Sequence, residues 1–446
     1  MTNATTVRRT GLLVVALGLL TTLGPLSIDL YLPAFPTLRD EFGADDGAVQ
    51  LTLAGMTVGL ALGNLVTGAW SDRVGRRLPL LLASALHVLV TLLCAAAPTL
   101  EALAVLRVAQ GVAAAGSSVL VLAIARDVSD GPGLVRLISR ITLITTTVPL
   151  LAPVAGAALL PVVGWRGIFG VLGAFSAAVL VMTAVVVPET HAGSVRRGGA
   201  GDRGGVADRG GMTDRSGLVD RSDIADRSDV ADRRETAPHA DRGLPARLRA
   251  VLRDRGFGAA TLLGAMTYAG VYAYVAASPL LLQGVHGLTA GEFAAVFLAN
   301  SLGLVVGVQA SAALQRRRPD APVLIGFAAL TAVAALAILP LEAAGAGLPG
   351  LLACLWLFVA GCGGCFAGAA GRALRDQSAQ AGTATSLYGF GTFAAAGLIA
   401  PVAGLIGLHD AAPIAGVLSV TALVGTTAAV AIRRRDRRAV LPHPAA

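Results

Sequence analysis

The stretch Gly63-Asn-Leu-Val-Thr-Gly68-Ala-Trp-Ser-Asp72-Arg73-Val-Gly75-Arg76-Arg77 decides how the rest of the chain is read. It joins two apolar runs, each long enough to cross a bilayer. Between them it places spaced glycines, one acid and a short basic turn. An acid at such a turn can accept from the exposed N–H groups of a nearby helix N-terminus and pair with arginine. Contacts of that kind would hold one conformation closed and break in another, so Gly63, Gly68, Asp72, Arg73, Gly75 and Arg76 form a candidate hinge.

Outward from the hinge, the 446 residues are 55% hydrophobic and only 14% charged, with mean hydropathy +0.72. Soluble domains carry about 25% charged residues, so the chain is a bilayer protein. A spanning helix needs about 20 apolar residues, and the sequence offers twelve such runs, the first near 11–33 and the last near 411–432. The expected fold is an all-α membrane protein with twelve transmembrane helices in two pseudo-symmetric halves. Residues 1–190 form the first six-helix bundle, 191–256 a polar linker, and 257–446 the second bundle with a basic tail.

The net charge of +8 follows topology rather than a nucleic-acid partner. All 35 basic residues are arginine. With the N-terminus inside, cytoplasmic loops hold Arg76, Arg77, Arg126, Arg316, Arg317, Arg318 and the tail run from Arg433. The outer loops hold only Arg39 and Arg166, beside acids such as Asp40, Glu41 and Asp46. That asymmetry is the positive-inside rule. It predicts a multi-pass protein of the plasma (inner) membrane with both termini cytoplasmic. Arg8 and Arg9 before an apolar run resemble a signal peptide. The run, however, is too long, contains Asp29 and lacks a small-residue cleavage site. Of the four cysteines, Cys362 and Cys365 form Cys-Gly-Gly-Cys inside an apolar span with no nearby His or Asp. They read as small residues at a helix contact, with no metal site.

Within the linker, Asp-Arg recurs at a six-residue interval from Asp202-Arg203 to Asp232-Arg233. That period fits neither helix nor strand, and the apolar content is too low for a core, so disorder is expected. The halves echo one another. Gly59, Gly63 and Arg76-Arg77-Leu78-Pro79 recur as Gly303, Gly307 and Arg317-Arg318-Pro319. Asp72 falls on Arg316, so the second copy lacks the hinge acid.

Gly55, Gly59 and Gly63 share one helix face, where small residues let helices approach closely. The face is expected to serve both static packing and sliding between the two halves, so it discriminates little between them. Asp29 lies in the first spanning run, and a carboxylate there marks a proton or ligand site. By depth along their helices, Arg107 in the fourth run falls in the same layer as Asp29, with Gln110 one turn deeper. Asp29 and Arg107 are the candidate proton-coupling pair, provided their faces meet. Pro149, Pro153 and Gly156 read as a kink in the fifth run, serving either packing or, as a gating element, an antiporter-type closure at the outer face. Tyr268 and Tyr272 lie one turn apart, with Tyr274 nearby. Together with Tyr31, Gln110, Trp356, Phe366 and Tyr388 they are candidates to line an apolar cavity, with interface anchoring the alternative. No Walker sequence, zincin helix or nucleophile elbow is found, so neither an enzyme nor a cofactor is expected.

Several segments carry a family resemblance. These are Ser27-Ile-Asp29-Leu-Tyr31-Leu-Pro33-Ala-Phe-Pro36, the hinge, Leu106-Arg107-Val-Ala-Gln110-Gly111, Ala125-Arg126-Asp127 and Pro149-Leu-Leu-Ala-Pro153 to Gly156. Trp165-Arg166, Pro188-Glu189-Thr190 and Ala381-Gly382-Thr383-Ala384-Thr385-Ser386-Leu387 complete the set. The chain resembles the bicyclomycin/chloramphenicol resistance branch of the drug:proton antiporters in the major facilitator superfamily. The resemblance implies twelve helices and export of small amphipathic drugs in exchange for protons, with the proton gradient as energy source and a monomer as the working unit. It also implies that Asp72 engages the eleventh helix near Gly382. A dedicated exporter or importer of one metabolite on the same scaffold is the alternative.

Overall fold

A computed structural model describes residues 2–129, 131–190, 244–377 and 381–440, and all regular structure among them is helical. The first half contains α1 (Thr2–Asp29), a short turn Leu32–Ala34, α2 (Phe35–Phe42), α3 (Asp46–Val74), α4 (Arg77–Ala95), α5 (Leu100–Val128) and α6 (Gly131–Val186). Among the described residues, eleven segments are long and apolar enough to cross a membrane. One of them, Arg136–Val186, has 51 residues. At 1.5 Å per residue that is about 75 Å of helix against a core of about 30 Å. The excess is resolved at Gly164, the one non-helical residue inside α6, whose φ of 65° favours glycine. The segment therefore supplies two crossings and the chain makes twelve.

The second half opens with α7 (Leu244–Arg253). Residues 244–253 were expected in the disordered linker. Leu244, Leu248 and Val251 recur there at helical spacing among arginines, and Val251 is buried, so the segment folds as an amphipathic helix. The Asp-Arg repeat lies outside the described residues. The half continues with α8 (Arg255–Pro279), a π turn Leu280–Val285, α9 (Ala290–Gln315), α10 (Asp320–Ala343), α11 (Gly347–Leu374), α12 (Ala381–Ile399), α13 (Val402–Ile406) and α14 (Ala412–Val440). The largest exposed apolar residues, such as Val105, Val162 and Val185, face outward, as lipid contact requires.

The glycine stripe settles inside one half. A Cβ at Gly55 would meet the Ala104 carbonyl oxygen, and one at Gly63 the Val112 carbonyl oxygen at 2.7 Å. One at Gly59 would overlap the Val108 carbonyl and lie 2.9 Å from Gly111 Cα. The stripe thus seats α3 on α5, and the expectation of a sliding face between halves is corrected. Gly303 and Gly307 do the same for α9 on α11, against Trp356 and the backbone of Ala360 and Gly364. The halves instead meet where α3 packs on α12 and α6 on α9. There glycines of both halves take part, with Gly47 of α3 lying on Leu405. Gly389 lies on Asn64, Gly397 on Thr57 and Val58, and Gly404 on Gln50.

Candidate functional site

The hinge turn is built on Gly75, whose φ of 103° is open to glycine and whose missing side chain makes room for Glu189. The Glu189 carboxylate accepts from the backbone N–H of Arg76 at 3.0 Å and of Arg77 at 3.2 Å. It thereby caps the start of α4 with a negative charge, where the helix dipole favours one. Arg76 reaches Asp127 at the end of α5 (3.3 Å) and Ser71 Oγ (2.8 Å), and Thr190 donates to the same Asp127 carboxylate. Arg77 donates to the Ala184 carbonyl at 2.8 Å. The loop between α3 and α4 is therefore clamped to the ends of α5 and α6. Sequence reading had quoted Asp127 and Glu189 without giving them a role, because their partners lie 51 and more than 100 positions away. Positions 68, 72 and 73 continue α3, but their side chains lie outside those described, as does any contact of Asp72 with α12.

Arg107 is wholly buried, seven residues into α5, about 10 Å along its axis. Its Nη1 donates to the Ser27 carbonyl at 2.9 Å and to Gln110 Oε1 at 2.6 Å. The guanidinium lies over the Tyr31 ring at 4.4 Å and near Phe169 at 5.7 Å, so aromatic faces replace part of its hydration. Among the described residues its Nε and Nη2 have no hydrogen-bond partner. The shared layer expected for Arg107 and Asp29 exists, but the faces do not meet. Arg107 grips Ser27, and Asp29, two residues on, lies about 200° round the same helix. Among the described residues Asp29 has no ion pair or hydrogen bond. It is half-buried, and the turn Leu32–Ala34 just after it packs on α8. Gly156 of α6 packs directly on the Leu30 carbonyl, beside Asp29. Pro153 is buried, and α6 runs through 149–156 without a non-helical residue; the Pro149 side chain lies outside those described.

The aromatic candidates divide. Tyr268 and Tyr272 stack at 6.3 Å and gather Phe366 and Phe393 against them. Phe393 was missed in the sequence, where it is an ordinary apolar residue of its span. Tyr274 turns away to stack on Phe297 and accept from Asn300 at 2.7 Å. Tyr31 is buried in the first half with Phe35 and Phe169, its hydroxyl on Thr52 at 2.8 Å. Tyr388 packs over Gly264, and Trp356 donates to the Ala299 carbonyl at 3.1 Å on the α9 side.

At the end opposite the hinge the halves are joined by polar contacts. Gln50 Oε1 accepts from Gly404 N–H at 3.1 Å, and Gln283 reaches the Pro33 carbonyl at 3.5 Å. The two arginines of that end are neutralised locally. Arg39 pairs with Asp40 and Asp46, and Arg166 pairs with Glu41.

A sequence profile described as Major Facilitator Superfamily matches residues 17–401. The chain is 28% identical over 420 residues to the uncharacterised MFS-type transporter YdgK of Bacillus subtilis, covering 92% of this chain and 93% of that one. It is 23% identical to the multidrug resistance protein MdtL of Shewanella oneidensis over 93% and 94% of the two chains. A bicyclomycin resistance protein homolog of Haemophilus influenzae is 30% identical over 41% of this chain and 46% of its own. Among solved structures, a D-xylose–proton symporter superposes with TM-score 0.68 at 14% identity, covering 95% of this chain and 96% of that one. The profile, the relatives and the twelve-crossing fold agree: the chain belongs to the Major Facilitator Superfamily and is a multi-pass membrane transporter, not an enzyme.

Proposed function

We propose that the protein is a drug:proton antiporter of the cytoplasmic membrane, exporting small amphipathic compounds as a monomer with both termini in the cytoplasm. The observation that carries this reading is Asp29. It is a half-buried carboxylate at the end of a spanning helix with no ion partner among the described residues, and the turn Leu32–Ala34 that follows it packs on α8 of the second half. A carboxylate without a fixed counter-charge in a membrane is a site for a proton or a cationic ligand. The Tyr268–Tyr272–Phe366–Phe393 cluster supplies the aromatic faces that lipophilic cations favour. A proton on Asp29 and a drug in the same neighbourhood then exclude one another, so proton uptake accompanies drug departure, which is exchange. Arg107 supplies a fixed positive charge in the same layer. The clamp at Gly75, Arg76, Asp127 and Glu189 and the close seat of Gly156 on Leu30 serve as gating elements.

The test is substrate-evoked proton movement in everted membrane vesicles, against phenicols, a bicyclic peptide antibiotic and lipophilic cations. Wild type should collapse a preformed pH gradient with some of these, and Asp29→Asn should not. An Asp29→Asn protein that still couples protons to transport would refute the role of Asp29. A folded wild type silent across the panel would favour a dedicated metabolite transporter.

A further inference from the structure

Arg107 belongs to a polar circuit that reaches α4 and is closed between Thr91 and His87 through the His87 backbone carbonyl. Gln110 Nε2 donates to Thr91 Oγ1 at 2.8 Å, and Thr91 lies one turn from His87 on α4. His87 Nε2 is 3.1 Å from Ser27 Oγ, and Ser27 supplies the carbonyl that Arg107 holds. The circuit Arg107–Gln110–Thr91–His87–Ser27 thus ties α1, α4 and α5. Ser27 is 1% exposed and the other four side chains 0%.

Counting hydrogens fixes the direction of each bond. The Ser27 hydroxyl donates its one proton to the Leu23 carbonyl at 2.6 Å, so Ser27 Oγ can only accept from His87. His87 Nε2 therefore carries a hydrogen. The Thr91 hydroxyl donates to the His87 carbonyl at 2.6 Å and so offers Nδ1 no hydrogen, and a proton on Nδ1 would gain only a 3.5 Å contact while adding a second buried charge close to Arg107. The neutral Nε2–H tautomer satisfies this arrangement and the Nδ1–H tautomer does not.

We propose that His87 is the positioning residue for Arg107. As a neutral Nε2–H donor it fixes Ser27 and orders the ring, so that the guanidinium is held by Nη1 while Nε and Nη2 stay unpartnered. A buried charge is normally saturated with acceptors. Here the ring holds one corner and leaves an open donor edge, which is the form an arginine needs if it is to take an acceptor in one state and release it in another. The assignment rests on the proposed antiport only for what Arg107 then does. The geometry of the ring is independent of the substrate.

The experiment has one arm for each part. In purified full-length protein with 15N-labelled histidine, the six imidazoles are compared with those of His87→Gln to identify the His87 signal. The Nε2–H tautomer at neutral pH is expected, and an Nδ1–H or doubly protonated ring would overturn the inference whatever the protein transports. In vesicles, with the most active compound of the drug panel, His87→Leu should lower kcat about tenfold with KM little changed, the factor that one lost buried hydrogen bond corresponds to. His87→Gln, whose amide N–H can reach the Nε2 position, should recover most of that loss. A folded His87→Gln as slow as His87→Leu, or a His87→Leu with wild-type turnover, would overturn the positioning role. If wild type moves no protons with any compound, the antiport reading fails, while the tautomer measurement still decides on His87.

Discussion

Gly59 is where one atom more or less decides whether a helix pair forms. A Cβ there would meet the Val108 carbonyl and Gly111 Cα, both backbone, which cannot move aside as a side-chain tip could. Gly59→Val is expected to cost about 1–3 kcal/mol through overpacking, measured as a lower Tm in detergent. Gly258 on α8 has nothing within 4 Å of an added Cβ. Gly258→Ala should therefore be neutral or stabilising by up to about 1 kcal/mol in the same assay, because it removes freedom from the unfolded chain. Asp29 is governed by a different constraint. It stands two positions after Ser27, about 200° round the helix, which is enough to turn it away from the face that meets Arg107.

At the scale of elements, α4 begins where Glu189 meets the N–H groups of Arg76 and Arg77. Glu189→Ala removes a cap and a charge favourable to the helix dipole, and should lower stability by about 1–2 kcal/mol, measured by thermal unfolding. What the sequence made legible here was the turn itself, since Gly75 and its arginines announce a chain reversal at a membrane face. Its partners were not legible, because the end of α6 is brought to the turn only by the packing of α4 on α6. The glycine stripe follows the same logic. Spacing gave the face of α3 that needs close approach, yet a face does not name its neighbour, and α5 rather than the other half occupies it. A lone histidine in an apolar run carries no signal at all. His87 acquires meaning only when α1 and α5 are laid beside α4.

Across the whole molecule, α3 holds the halves together against α12 and α13 over most of a bilayer's thickness, from Gln50–Gly404 to Asn64–Gly389. An ideal Cβ on Gly389 would stand 3.6 Å from Asn64 Cβ, within the range of natural disulfides of about 3.5–4.5 Å. Asn64→Cys with Gly389→Cys should therefore cross-link on oxidation and arrest transport, and reductant should restore it. A cross-linked protein that still transports would exclude movement at this contact. The four native cysteines are buried and unpaired, so they should contribute little background. On this contact the glycines of α12 and α13 present bare backbone to the side chains of α3, so its middle has few teeth to interlock. A seam of that kind has no detents along its length. Its rest positions are set by the fittings at its two rims, and a drug that changes the balance at either rim can shift the whole machine without having to pry apart its middle.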